Sequence, residues 1–377
     1  MSTKKGLLER LAAGPVVGDG SMLMTMEKRG YAVAGAWTPE AVIQHPDAVK
    51  QLHREFLRAG ADVLQTFTFY ASEDSIEGKN SSASVEDTLL NWKDLNERAC
   101  DLAREVADEG DALVAGSMGP VVAYEAGKGK DVVQNQFRQQ CDVFSRKKVD
   151  FLVGEFFSYT EEAEWAIEVM KTYGLPVVCM MRICIAGDEM GVKPADSAVR
   201  LAKAGADVIG VNCCYDPNIA LETIAMMKEG LQASKQRAHL ILQPVGFHTQ
   251  EIAGEPIGYT ELPEFPFAME PRVLTRIDAH KFARAAYELG VRYVGGCCGF
   301  EPHHIRAISD ELKEERGRGV FGSDKSGFPQ SLTRSFVATL RKRASRDYWM
   351  NLKPAAGRDW IMKRAELRPK SSDSKSS

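Results

Sequence analysis

LAKAGADVIGVNCC, residues 201–214, decides how this chain folds. It reads as the end of a helix, a stop at Gly205, and an apolar run that ends in Asn212 and two adjacent cysteines. Glycine just past a helix takes the left-handed conformation that ends it at low cost. A run apolar on both faces suits a parallel strand covered by helices. The phrase recurs as LRAGADVLQTFTF from Leu57 and as AYELGVRYVGGCC from Ala286. Repetition of a helix–Gly–strand unit is the pattern of a (β/α) barrel.

Working outward, further short apolar runs are centred near Val16, Leu113, Leu152, Val178 and Leu240. With those near Val63, Ile209 and Val294, they supply the strands of a (β/α)₈ TIM barrel. Amphipathic segments such as PDAVKQLHREFLRAG and ADSAVRLAKAG separate most of them. An open doubly wound sheet is the competing arrangement. Its glycine-rich nucleotide turn is missing, because GDGSML after the first strand has no third glycine in place.

Composition narrows the class. The 377 residues are 44% hydrophobic and 27% charged, with a formal net charge of -4, as expected of a soluble globular protein. No basic patch points to nucleic acid. No apolar stretch approaches the ~20 residues of a membrane helix. MSTKKGLLERLAAG lacks the apolar centre of a secretion signal, so a cytoplasmic location is expected. Residues 1–315 are expected to form the barrel. Beyond it, RGVFGSDKSGFPQSLTR reads as a linker and SFVATLRKRASRDYWMNL as helical. Residues 316–366 are therefore expected to form an arm that clasps a second copy, giving a homodimer or homotetramer, and 367–377 a disordered tail.

Eight cysteines in a chain without a secretion signal imply reduced thiols. Cys100 and Cys141 fall in helical patterns, and Cys179 and Cys184 in an apparent strand, so all four read as core packing. Cys213, Cys214, Cys297 and Cys298 differ, because they close the sixth and eighth strands. Active sites of (β/α)₈ barrels lie at the C-terminal ends of the strands, and only one strand separates these two. Three thiolates with a fourth position open make a catalytic zinc arrangement. Gly295 and Gly296 are expected to let the backbone turn so that both thiols of the second pair face one ion. Alternation favours Cys213 over Cys214 as the third ligand. A redox dithiol competes, but adjacent cysteines bridge only through a strained ring.

GVNCCYDP and GGCCGFEPHHIRAI, with GDGSM, LQTFTFYAS, AGAWTPEA, LPEFPFAMEPR and RDYWMNL, resemble the zinc-dependent homocysteine S-methyltransferases, in their betaine-using branch. The likeness runs roughly from Gly6 to Trp360. It implies a zinc ion on Cys213, Cys297 and Cys298, and transfer of a methyl group from betaine to homocysteine, giving methionine and dimethylglycine. It also implies homocysteine binding by Asp19, Gly20, Thr66 and Glu155. Asp19 reads equally as a helix cap, whereas a carboxylate in the apolar strand end FLVGEFF is costly without a task. Trp37, Phe69, Tyr70, Phe156 and Gln243 fall at the family's donor-site positions. Aromatic faces suit a trimethylammonium group through cation–π attraction. The resemblance further suggests Tyr70 as a fourth zinc ligand when homocysteine is absent.

Two departures bear on the donor. Phe156 stands where betaine-using members carry tyrosine, and GSMGPVVAYEAGKGKD differs from their loop. A sulfonium donor, S-methylmethionine or a dimethylsulfonium compound, is therefore the alternative. An inactive zinc-binding or redox-sensing barrel is the alternative of another class.

Overall fold

The strand β6, Val208–Asn212, is buried along its whole length, as its unbroken apolar run requires. The computed structural model describes residues 4–32, 39–81, 89–255, 257–266, 268–320, 345, 347–348 and 351. Within them the other strands are β1 Val16–Val17, β2 Val63–Gln65, β3 Leu113–Met118, β4 Phe151–Phe157, β5 Val177–Met181, β7 His239–Gln243 and β8 Tyr293–Val294. All lie in one sheet of eight parallel strands, ordered β1-β8-β7-β6-β5-β4-β3-β2. The barrel expected from the repeated phrase is the fold. No helix among the described residues is long and apolar enough to cross a membrane.

The seam between β1 and β2 closes through a backbone bond and two carboxylates. Asp62 N–H donates to Val17 O at 2.7 Å, and Asp62 Oδ2 accepts from Val17 N–H at 2.8 Å. One turn higher, Asp19 Oδ2 accepts from Gln65 N–H at 2.8 Å. Asp19 thus enters the site as part of the barrel's closure.

Side chains alternate between two cores, as a period of two demands. Val63, Leu113, Phe151, Val178, Val208, Ile241 and Tyr293 fill the barrel, and Leu7 and Leu11 of the helix Leu7–Ala13 pack into the same cluster. Leu64, Val114, Leu152, Cys179, Ile209, Leu242 and Val294 face the helices. The helix Pro194–Ala204 ends at Gly205 with φ 110°, a left-handed value that spares a side chain's steric cost; Gly60 and Gly290 repeat it.

Cys100, Cys141 and Cys179 are buried in the outer core, as expected. Cys184 is buried too, but outside β5. The strand stops at Met181, Arg182 N–H turns back to Phe157 O, and Cys184 makes only an isolated bridge with Gly187. Most of the expected arm, and all of the expected tail, lie outside the described residues. The described start of that region folds onto the barrel. Arg316 Nη2 donates to Gly60 O at 2.8 Å and to Asp62 Oδ1 at 2.9 Å, pinning the β1–β2 seam.

Candidate active site

At the C-terminal ends of the strands a cavity of about 100 Å³ is lined by Asp19, Gly20, Thr66, Phe69, Glu155, Phe156, Gln243 and three cysteines. The cysteines are Cys213, Cys297 and Cys298, whose sulfurs all lie within 4.8 Å of one another. Cys213 Sγ and Cys298 Sγ are 3.7 Å apart. Tetrahedral zinc with bonds of ~2.3 Å holds sulfurs about 3.8 Å apart, so these thiols fit such an ion with little movement.

The end of β7 ties the two arms together. Gln243 O accepts from Cys213 N–H and Pro244 O accepts from Cys297 N–H, each at 2.9 Å. Cys213 and Cys214 then take φ of 61° and 58°, which turns the first thiol into the cavity and leaves Cys214 outside its lining. Phe156 (φ 66°) and Tyr70 (φ 54°) have left-handed backbones as well. Such residues cost ~1–2 kcal/mol each and collect at functional sites. β8 stops at Val294, just before Gly295 and Gly296, neither of which has a left-handed φ. Gly296 permits close packing, since a Cβ there would lie 2.1 Å from the Phe300 ring.

Three thiols this close together cannot all ionise unaided. Cys298 carries the charge most readily: hydrogen bonds from Cys213 and Cys297, with a further one from Tyr259, pull it well below the ordinary thiol range. Burial, and then the neighbouring thiols, push Cys213 well above it. One anion among three sulfurs is the electrostatic state a cation relieves.

Asp19 and Glu155 face the cavity from opposite sides of β2, joined by Gln65. Its backbone N–H donates to Asp19, its Nε2 donates to Glu155 Oε1 at 3.2 Å, and its Oε1 accepts from Gln243 Nε2 at 3.1 Å. Ser117 Oγ also donates to Glu155 Oε1, and Asn212 Nδ2 donates to Oε2 at 2.9 Å. Burial nevertheless lifts Asp19 to about 8 and Glu155 to about 7. No cationic side chain pairs with either among the described residues. Two such carboxyls side by side are arranged for a cation that arrives with a ligand.

The other expected residues divide. Phe69 and Phe156 meet edge to face, centroids 5.3 Å apart, in the cavity wall. Thr66 lines the cavity, but its hydroxyl pairs with Thr68 Oγ1 at 2.7 Å and accepts from Ser117 N–H at 3.0 Å. Tyr70 packs on Phe69, 4.2 Å between centroids, and lines a neighbouring cavity. The hydroxyl bonded to a thiol is that of Tyr259, held between Phe247 and Phe265. Trp37 lies outside the described residues. Gln65, Asn212 and Tyr259 are site residues that motif reading passes over; Gln65 and Asn212 each carried a signal, as an amide closing an apolar strand.

A (β/α)₈ barrel with three convergent thiols and two carboxyls at its C-terminal rim defines a thiol-site barrel enzyme class, and the homocysteine S-methyltransferase family model matches residues 16–312. The chain belongs to that family. Betaine–homocysteine S-methyltransferase 1 of Xenopus laevis is 54% identical over 96% of this chain and 89% of its own. The protein of the same name from Mus musculus is 52% identical over 95% and 87%. An S-methylmethionine–homocysteine S-methyltransferase of Pongo abelii is 53% identical over 94% of each chain. Among solved structures, the metallated form of an Escherichia coli homocysteine methyltransferase matches with a TM-score of 0.60 and 18% identity. That match spans 78% of this chain and 95% of the other, and supports the fold.

Proposed function

We propose that this protein transfers a methyl group from betaine to homocysteine, with zinc held by Cys213, Cys297 and Cys298. The observation that carries the reading is one cavity joining three sulfurs at metal-binding separation to the carboxyls of Asp19 and Glu155. Zinc bound there would supply a Lewis acid that keeps a fourth sulfur as thiolate at neutral pH.

Asp19 and Glu155 receive the homocysteine ammonium, whose charge favours their ionised forms and fixes the amino acid. Thr66 has no hydroxyl proton to spare, so it shapes the carboxylate's side of the pocket by position, beside the Gly20 backbone. Phe69 and Phe156 offer faces to a trimethylammonium group, and Tyr70 backs Phe69; Gln243 steadies Gln65. The chain needs no general acid. Sulfur gains the methyl carbon as the carbon–nitrogen bond breaks, and the nitrogen leaves with the electron pair as a neutral amine. The residues orient the partners.

A second reading, S-methylmethionine as donor, is favoured by Phe156 in place of a hydroxylated ring and by the 53% relative of that name. A donor panel decides between them. On protein of measured zinc content, betaine should yield methionine and dimethylglycine in equal amounts; methionine from S-methylmethionine alone would replace the first reading with the second. Eight free thiols suit a reducing compartment, consistent with a cytoplasmic location.

A further inference from the structure

Behind Phe156 lies a second cavity of about 250 Å³, walled by Tyr70, Glu125, Phe156, Glu162, Arg182 and Cys214. Phe156 lines this cavity and the thiol cavity alike. Arg182, the residue after β5, holds its guanidinium over the Phe156 ring, 5.2 Å from the centroid. Its side chain is only 13% exposed. Nε and Nη2 donate to Ser158 Oγ at 2.8 and 2.6 Å, and Nη2 donates to Glu189 Oε1 at 3.0 Å. The Cys214 side chain also hydrogen-bonds the guanidinium.

A largely enclosed guanidinium beside a site for a quaternary cation, only partly offset by Glu189, favours a ligand that also brings an anion. Methyl donors of the onium type are cations, and a second cation nearby repels them. The repulsion vanishes when the donor carries its own carboxylate, which a guanidinium fork binds well. Glu125 lines the same cavity, so a carboxylate stands there with the guanidinium and both signs are present, as a zwitterion requires; Glu162, lifted to about 8 by burial, adds no charge at neutral pH. Cys214, the neighbour of Cys213, lines this cavity too, which places the corner beside the thiols.

We propose that Arg182 binds the carboxylate of the methyl donor and so determines donor specificity, admitting onium compounds that carry a carboxylate and turning away bare onium cations. The assignment rests on the methyl-transfer reading above. It adds a residue and a rule of selection to it: attraction for one charge pattern, repulsion for the other.

The test uses the full-length, zinc-loaded protein as wild type, Arg182→Gln and Arg182→Lys, with zinc content and homocysteine KM reporting an intact barrel. Loss of a charge-assisted contact is expected to raise the betaine KM about tenfold or more in Arg182→Gln, and less in Arg182→Lys. The homocysteine KM should stay unchanged. Two probes separate the charges by calorimetry. Binding of 3,3-dimethylbutanoate, the uncharged-head isostere of betaine, should weaken in Arg182→Gln, whereas binding of tetramethylammonium should hold or strengthen. An unchanged betaine KM, equal weakening of both probes, or an effect confined to homocysteine overturns the assignment. Wild-type protein that makes no methionine from betaine overturns the donor reading instead, and the probes still report on Arg182.

Discussion

Asn212 grips two consecutive residues of β4. Its Nδ2 donates to Glu155 Oε2 at 2.9 Å, and its Oδ1 accepts from the Phe156 N–H at 3.0 Å. One amide therefore aims a carboxyl proposed to hold homocysteine and secures the left-handed backbone of an aromatic residue proposed to face the donor. Removing it leaves a buried carboxyl and a buried N–H each short of a partner. Asn212→Ala is expected to raise the KM of both substrates, by about tenfold for homocysteine, and to lower the melting temperature by a few degrees. Steady-state kinetics and a thermal melt check this; a change confined to stability would remove Asn212 from the positioning role.

The paired carboxyls separate binding from folding. Asp19→Asn is expected to raise the homocysteine KM by ~10- to 100-fold, the worth of a charged hydrogen bond, with little change in the betaine KM. The fold should tolerate it, because the carboxyl it replaces is already neutral near pH 7 in the free protein. A homocysteine KM unchanged in the soluble variant would return Asp19 to the β1–β2 seam alone.

The same carboxyls set a pH dependence. In the free protein both hold protons up to about 7 and about 8, and an arriving ammonium expels them. Affinity for methionine, which has the amino-acid group but no thiol proton, should therefore strengthen from pH ~6 to ~8 and fall again only where the ligand's own ammonium loses its proton. For stability the sign is opposite. These folded-state values lie above the unfolded ones of ~4, so their contribution is present at low pH and fades as pH rises through about 8. Calorimetry of methionine across that range reads the first effect. Flat affinity would mean that the ammonium binds elsewhere.

The adjacent cysteines at the end of β6 should behave differently. Cys213→Ser is expected to lose zinc to a mild chelator and to lose turnover, while Cys214→Ser keeps one zinc per chain. Metal analysis after dialysis distinguishes them; retention of zinc in both variants would take Cys213 out of the metal site.

Much of this was legible in order of locality. The strands announce themselves as apolar runs after a glycine, and the thiols of Cys213, Cys297 and Cys298 as reactive groups closing such runs. Cys213 was preferred to Cys214 on alternation and on the family resemblance together. The polar lattice was not legible, because its partners meet only when the barrel closes. Gln65, Asn212 and Gln243 lie on three strands, and nothing local relates them. Tyr259 comes from short turns between β7 and β8 that have no periodic pattern. Gly296 misled for another reason: a tight approach by Phe300 and a backbone turn both call for glycine.

The central claim is that three protein sulfurs leave a coordination position for a substrate sulfur. X-ray absorption at the zinc edge, recorded on the loaded protein before and after homocysteine is added, tests it most directly. The account predicts three sulfur neighbours without homocysteine and four with it. A sulfur count that stays at three when homocysteine is bound, or that already stands at four without it, would contradict the account.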